Sequence, residues 1–136
     1  MTPADLDCLD GVESTAHLFQ QWQEKKYEAR VIAVGDQLFA VAIHAHSDQA
    51  YVDWRADYDS LRYEVIDVPD HIRAGVLRYL DIAGLASSVF DFVIGPDNAQ
   101  GKWIALEANA AGAWGWLAEE CRLPIAAAFA DILTKD

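Results

Sequence analysis

Two segments of this 136-residue chain carry oxygen donors inside runs that otherwise read as apolar strand. In Val89-Phe90-Asp91-Phe92-Val93-Ile94, alternation sets Asp91 on one face with Val89 and Val93, and Phe90, Phe92 and Ile94 on the other. In Trp103-Ile104-Ala105-Leu106-Glu107-Ala108-Asn109, Glu107 and Asn109 share a face. The residues between, Gly95-Pro96-Asp97-Asn98-Ala99-Gln100-Gly101, are turn formers, so the two strands should close as an antiparallel hairpin. With Gly95 opposite Trp103, Asp91 falls opposite Glu107. Two carboxylates and an amide oxygen on one face of an apolar ribbon are either hydrogen-bonded or exposed at a sheet edge, or, as the cost of unpaired carboxylates in apolar strands favours, compensated by a cation. Oxygen-only donors suit Mg²⁺, which keeps waters and takes substrate phosphates beside one or two carboxylates. A metal site of Asp91, Glu107 and Asn109, and by implication a nucleotide site, is expected.

Other residues bear on the same chemistry. Arg30 shares a strand face with Glu28, Ile32 and Val34, where it either pairs with Glu28 or grips a phosphate or carboxylate bidentately. Arg55 sits in a loop between the anchors Trp54 and Tyr58, within reach of a substrate or free in solvent. His44 and His46 share a face and, with His17, could hold zinc, but no fourth ligand stands at a telling spacing. They read as exposed strand-end histidines. Trp114 and Trp116, next to glycine, read as packing. There is no glycine-rich phosphate loop, nucleophile elbow or Cys/His pairing.

The elements that must position these residues follow in order. Residues 1–16 are an acidic lead-in, with a helical turn capped by Thr2 before Pro3. His17 to Trp22 reads as a strand, and Gln23-Glu24-Lys25-Lys26 as a hinge. Tyr27–Val34 and Leu38–Ile43 flank Gly35-Asp36 as a second hairpin. His44 to Tyr58 reads as a loop, Leu61 to Val68 as a strand. Asp70 should cap a helix whose apolar residues Ile72, Val76, Leu77, Leu80 and Ala83 end at Gly84. After Asn109 come a small-residue loop, a short helix near Trp116, a break at Pro124, and a final helix to about Leu133.

Composition narrows the classes. One domain of this size removes about two-thirds of its chain surface from water, and 53% hydrophobic residues supply a core. A formal net charge of −12 lacks the basic stripe of a nucleic-acid binder. No apolar run resembles a membrane span or secretion signal, so a cytoplasmic chain with Cys8 and Cys121 reduced is expected.

Taken together, "YEARVIAVGDQLFAVAI", "DWR", "DFVIGPDN" and "WIALEANAAGAWGWL" followed by "LPIAAAFADIL" resemble the C-terminal part of an ATP-grasp ligase. They are closest to the microviridin-type peptide maturases, or graspetide synthetases. The resemblance runs from about Asp5 to Leu133. It implies an α+β fold, a mostly antiparallel sheet with helices packed on one face, as the C-terminal ATP-grasp subdomain over residues 17–134. It implies ATP and Mg²⁺ as cofactors, and a ribosomal precursor peptide or other carboxylate substrate. The carboxylate is activated as an acyl phosphate and converted to an amide or ester. By resemblance, Asp91, Glu107 and Asn109 fall on the magnesium ligands, Arg30 faces the phosphates and acyl phosphate, and Arg55 is a second basic active-site position. Phe19, Gln20, Gln21 and Trp22 resemble the hinge strand whose backbone meets adenine. The family more often has Pro and Asn after the metal-binding Asn, and Gln before the Trp, where this chain has Ala110, Ala111 and Ala113. Family enzymes also carry N-terminal and central domains that supply phosphate-binding lysines and a lid. Their absence implies a domain fragment, inactive alone, with an exposed apolar patch and self-association into homo-oligomers. The alternative is a non-catalytic peptide- or partner-binding module of the same fold, and a zinc enzyme is the outsider.

Overall fold

The computed structural model describes residues 12–16, 19–96 and 102–134. Its frame is a five-stranded antiparallel sheet in the order β3-β2-β1-β4-β5, formed by β1 (Tyr27–Val34), β2 (Gln37–Ala45), β3 (Leu61–Ile66), β4 (Ser87–Ile94) and β5 (Trp103–Asn109). The helices are α1 (Asp48–Val52), α2 (Asp70–Ala83), α3 (Gly115–Glu120) and α4 (Ile125–Thr134).

β1 is the central strand, and its run Arg30-Val31-Ile32-Ala33-Val34 is buried on both faces. A strand without an exposed face reads as continuous apolar sequence, and both sides of the sheet then need a cover. Accordingly the helices divide between two faces where the sequence reading set them on one. α2 packs Val76 and Leu80 against Ala29, Val31, Phe90 and Phe92. On the other side Leu117 of α3 and Ile125 and Ala128 of α4 meet Ile32, Val34, Val41 and Val89. The α+β class and the antiparallel sheet are as expected.

β1 and β2 turn tightly, with Val34 opposite Gln37 and Gly35 at φ 58°, a conformation glycine adopts without steric cost. α2 ends at Gly84 (φ 64°), the left-handed stop that its sequence signalled. Its start differs from expectation, since Pro69 takes the cap position and Asp70 begins the helix without a side-chain cap bond.

Three further expectations are corrected. Residues 19–25 form no strand. The sheet begins where Lys26 N–H donates to Ile94 O (2.8 Å), and the glutamine-rich segment before it is mostly exposed. His17 and Leu18, the start of that expected strand, lie outside the described residues, as do the turn at Thr2-Pro3, Cys8 and residues 97–101. The segment read as a loop from His44 to Tyr58 contains α1 and single 3-10 turns at Trp54–Ala56 and Tyr58–Ser60. Ser47 supplies a helix cap, its Oγ accepting from Ala50 N–H (3.2 Å). The strand expected to Val68 stops at Ile66, three residues before Pro69. Among the described residues no helix is long and apolar enough to cross a membrane.

Candidate functional site

The hairpin register that brings the carboxylates together arises in an unexpected way. Ile94, not Gly95, lies opposite Trp103, which on its own would set Asp91 against Leu106. A bulge between Asp91 and Phe92 takes up one extra residue on β5, so that Phe92 faces Ala105 while Asp91 faces Glu107. A bulge leaves one residue unpaired and re-aims those beyond it. Beyond it, Glu107 and Asn109 stand on the same face as Asp91, as the sequence indicated, with Asn109 opposite Val89.

On its other edge β4 pairs with β1, and that register sets Arg30 directly opposite Asp91. Arg30 Nη1 lies 3.4 Å from Asp91 Oδ1, both side chains being more than nine-tenths buried. Arg55 reaches the same group from the turn after α1, its Nη2 3.6 Å from Asp91 Oδ2 and 3.8 Å from Glu107 Oε1. The two arginines and two carboxylates named from the sequence thus converge. Burial pushes the Asp91 carboxyl up to about 6, against the pull of Arg30 and with a further rise from its hydrogen bond with Glu107.

The segment presenting Arg55 is cross-braced. Asp53 Oδ1 accepts from Arg55 N–H (3.1 Å), and Ser47 Oγ donates to Asp57 Oδ2 (2.7 Å). Ser60 Oγ donates to Asp57 O (3.0 Å). The Ser47 bond, foremost, holds Asp57 below the usual carboxylate range.

Glu28 does not pair with Arg30. It accepts from Lys25 Nζ, whose charge also lies 5.7 Å from the centre of the Trp22 ring and 5.4 Å from that of Tyr51. Tyr51 Oη donates to Glu24 Oε2 (3.0 Å) and Lys25 O (3.2 Å), and so fixes the segment read as a hinge. Lys25 and Tyr51 were not singled out from the sequence, since nothing in "QEKKYE" marks one lysine as buried. The alternation of β1 did place Glu28 on the site face.

A cavity of about 240 Å³ is lined by Gln20, Glu28, Arg55, Asp91, Leu106 and Glu107. Beside it a second, of about 310 Å³, takes in Gln21, Trp22, Lys25 and Asp53. Gln20 therefore borders the Asp91 and Glu107 carboxylates, while Gln21 and Trp22 line only the neighbouring cavity and Phe19 lines neither.

Among the described residues no three His, Cys, Asp or Glu side chains form a ready-made metal cage. The donor set present is Asp91, Glu107 and the amide oxygen of Asn109, which already accepts from Ala111 N–H (3.0 Å) and keeps a second lone pair. An all-oxygen, incomplete set of this kind fits Mg²⁺, whose remaining positions go to water and phosphate. Among the described residues no histidine cluster forms, and His17 lies outside them. His44 is on the other face, its ring 5.0 Å from Tyr27 and its Nε2 3.3 Å from Glu64, while His46 N–H donates to Ser60 O (3.2 Å). Trp114 stacks on Phe129 (5.1 Å) and Trp116 packs tilted against Trp54 (5.4 Å), as packing residues. Cys121 is a free thiol, pushed up by burial.

No family model matches the sequence, and no curated protein matches it. Solved structures do. The macrocyclase MdnC from Microcystis aeruginosa, bound with precursor peptide MdnA, is 32% identical over 99% of this chain and 42% of its own, with a TM-score of 0.81. An ATP-grasp ligase of Chryseobacterium gregarium, associated with ribosomal peptide modification and solved with ADP and a leader and core peptide, is 28% identical over 98% of this chain and 40% of its own (TM-score 0.86). The macrocyclase MdnB from Microcystis aeruginosa is 26% identical over all of this chain and 47% of its own (TM-score 0.70). The chain is therefore a relative of graspetide-type ATP-grasp ligases, as its sequence implies, and spans between 40% and 47% of the length of these three.

Proposed function

We propose that this chain forms the nucleotide-facing, C-terminal part of an ATP-dependent carboxylate ligase acting on a ribosomal precursor peptide. The observation that carries the reading is the opposition of Asp91 and Glu107 across β4 and β5, with Arg30 and Arg55 against the same carboxylates. Those ion pairs are 3.4 to 3.8 Å long, whereas a committed charge-assisted bond is about 2.7–2.9 Å. The guanidiniums act as placeholders. Asp91, Glu107 and Asn109 would hold a divalent cation and Arg30 and Arg55 would hold phosphate oxygens, each group exchanging a loose partner for a close one.

Held there, Mg²⁺ would supply charge neutralisation at the transferring phosphoryl group. Arg30, buried and held opposite Asp91, stabilises the negative charge that spreads over that group as the peptide carboxylate attacks it and ADP leaves. Arg55, about half exposed, orients the incoming carboxylate or its acyl phosphate. An amine or hydroxyl then attacks the acyl carbon, inorganic phosphate departs, and an amide or ester remains. Gln20, Gln21 and Trp22 border the purine end of the nucleotide, with Phe19 the residue before them. On this reading the 136-residue chain binds nucleotide weakly, turns over no substrate alone, and acts in the cytoplasm. Self-association through its apolar surface is part of the same proposal and is read by sedimentation velocity.

Calorimetry of the chain with ADP tests the reading. Heat is expected with Mg²⁺ present and little without it, and Glu107→Gln should weaken the metal-dependent part about tenfold or more, tenfold being ~1.4 kcal/mol. Binding of a peptide with no metal-dependent nucleotide heat would instead fit a non-catalytic peptide-binding module.

A further inference from the structure

Among the described residues neither candidate arginine is fixed by a tight hydrogen bond to Asp91 or Glu107, and buried Arg30 Nε has no hydrogen-bond partner. What they share is an aromatic ring. Arg55 Cζ lies 4.4 Å from the centre of the Trp54 indole, and Arg30 Cζ lies 5.7 Å from the same centre. Arg30 comes from β1 and Arg55 from the turn after α1, so the ring is where two elements distant in sequence meet. It is also closely packed. Trp54 is 4% exposed among Ile43, Ala50 and Leu61, with Trp116 against it at 5.4 Å and Tyr58 edge-on at 5.6 Å.

Two cations around one ring repel each other unless anions lie between them. Asp91 is that anion, since it faces both arginines. Indole is the strongest of the side-chain π-systems for a cation, and the attraction grows as the pair leaves water. We infer that Trp54 is a positioning residue of the site, its indole holding the guanidiniums of Arg30 and Arg55 over Asp91 and Glu107. The inference rests on the proposed nucleotide site for what the arginines meet, but not for how they are held.

If Trp54 only fills space, any apolar side chain of similar bulk will replace it. If its π-face holds the arginines, phenylalanine will substitute and leucine will not. The test compares wild type, Trp54→Phe and Trp54→Leu by the NMR signals of the arginine Nε–H groups, by calorimetry with ADP and Mg²⁺, and by urea unfolding. In wild type, contacts between the Arg30 and Arg55 side-chain protons and the Trp54 indole protons are expected, with ring-shifted Nε–H signals. Trp54→Phe should retain nucleotide affinity within about threefold, whereas Trp54→Leu should lose about tenfold and the ring shift. Equal losses in the two variants, or full affinity and unmoved arginine signals in Trp54→Leu, would overturn the inference. Should Trp54→Leu fail to fold, missing indole-to-arginine contacts in wild type would overturn it equally. A wild-type chain that binds no Mg²⁺ and ADP while showing those contacts would sink the nucleotide reading and leave the positioning role standing.

Discussion

Asp91→Asn is the perturbation whose effect follows most directly from the geometry. The Asp91 carboxyl is raised from 3.8 to about 6, with burial as the largest cause, so the folded chain holds this proton more tightly than the unfolded chain does. Below about pH 3.8 both states are protonated and the group contributes nothing to the balance. As pH climbs from 4 to 6 the unfolded chain loses the proton first, which favours unfolding, and stability falls until the folded group also ionises above about 6. With those two values the loss between pH 4 and pH 7 is about 2 kcal/mol, an order-of-magnitude figure. Asn at this position abolishes the titration. Like the protonated carboxyl it is neutral beside Arg30, so the Asn curve should lie near the wild-type curve at pH 4 and carry no loss from this position as pH rises. The assay is urea unfolding of both proteins at intervals from pH 4 to 7. The difference between the curves removes, to first order, the contribution of the other acidic groups among the chain's 22 Asp and Glu residues. A wild-type curve that loses about 2 kcal/mol more than Asp91→Asn across this window is expected. Parallel curves would refute the placement of a desolvated carboxyl at residue 91.

Two further predictions concern the supports of the site. Lys25→Met leaves the Glu28 carboxylate buried without a counter-charge and should cost about 3 kcal/mol in denaturant unfolding; adding Glu28→Gln should recover most of it, a coupling that the double-mutant cycle reads. Gly112→Ala would bring a Cβ within 2.6 Å of Val89 Cβ and 3.2 Å of Asn109 O. This overpacking should lower stability by about 1–3 kcal/mol in thermal unfolding and disturb the turn that follows Asn109 at the end of β5.

The antiparallel sheet and its principal hairpins were legible because alternation and turn residues are local signals, and β4 and β5 each carry both. The two-faced cover was legible in principle from the unbroken apolar run of β1, where no polar face was left for solvent. The pairing of Asp91 with Glu107 was reached from a register one residue out, and the bulge on β5 made up the difference. A bulge of this sort leaves no mark in "WIALEAN", which has neither the glycine nor the proline that usually signals one. The opposition of Arg30 and Asp91 depends on β1 lying between β2 and β4, a long-range choice that local pattern does not encode. For the same reason Trp54 read only as an anchor: its contact with Arg30 joins a turn after α1 to the central strand. The expected strand at residues 17–22 rested on too few alternating residues, and its described part, 19–22, remains irregular beside the polar Gln20, Gln21 and Gln23.

On the proposed reading Asp91, Glu107 and Asn109 hold a divalent cation together with nucleotide phosphates. Titrating Mn²⁺ into the chain in the presence of ADP, and following the paramagnetic broadening of its backbone amide signals, tests this most directly. Broadening centred on residues 91, 107 and 109, weak without ADP and suppressed in Glu107→Gln, is the predicted result. Broadening centred on His44 and His46, or spread evenly over the acidic surface, would contradict it.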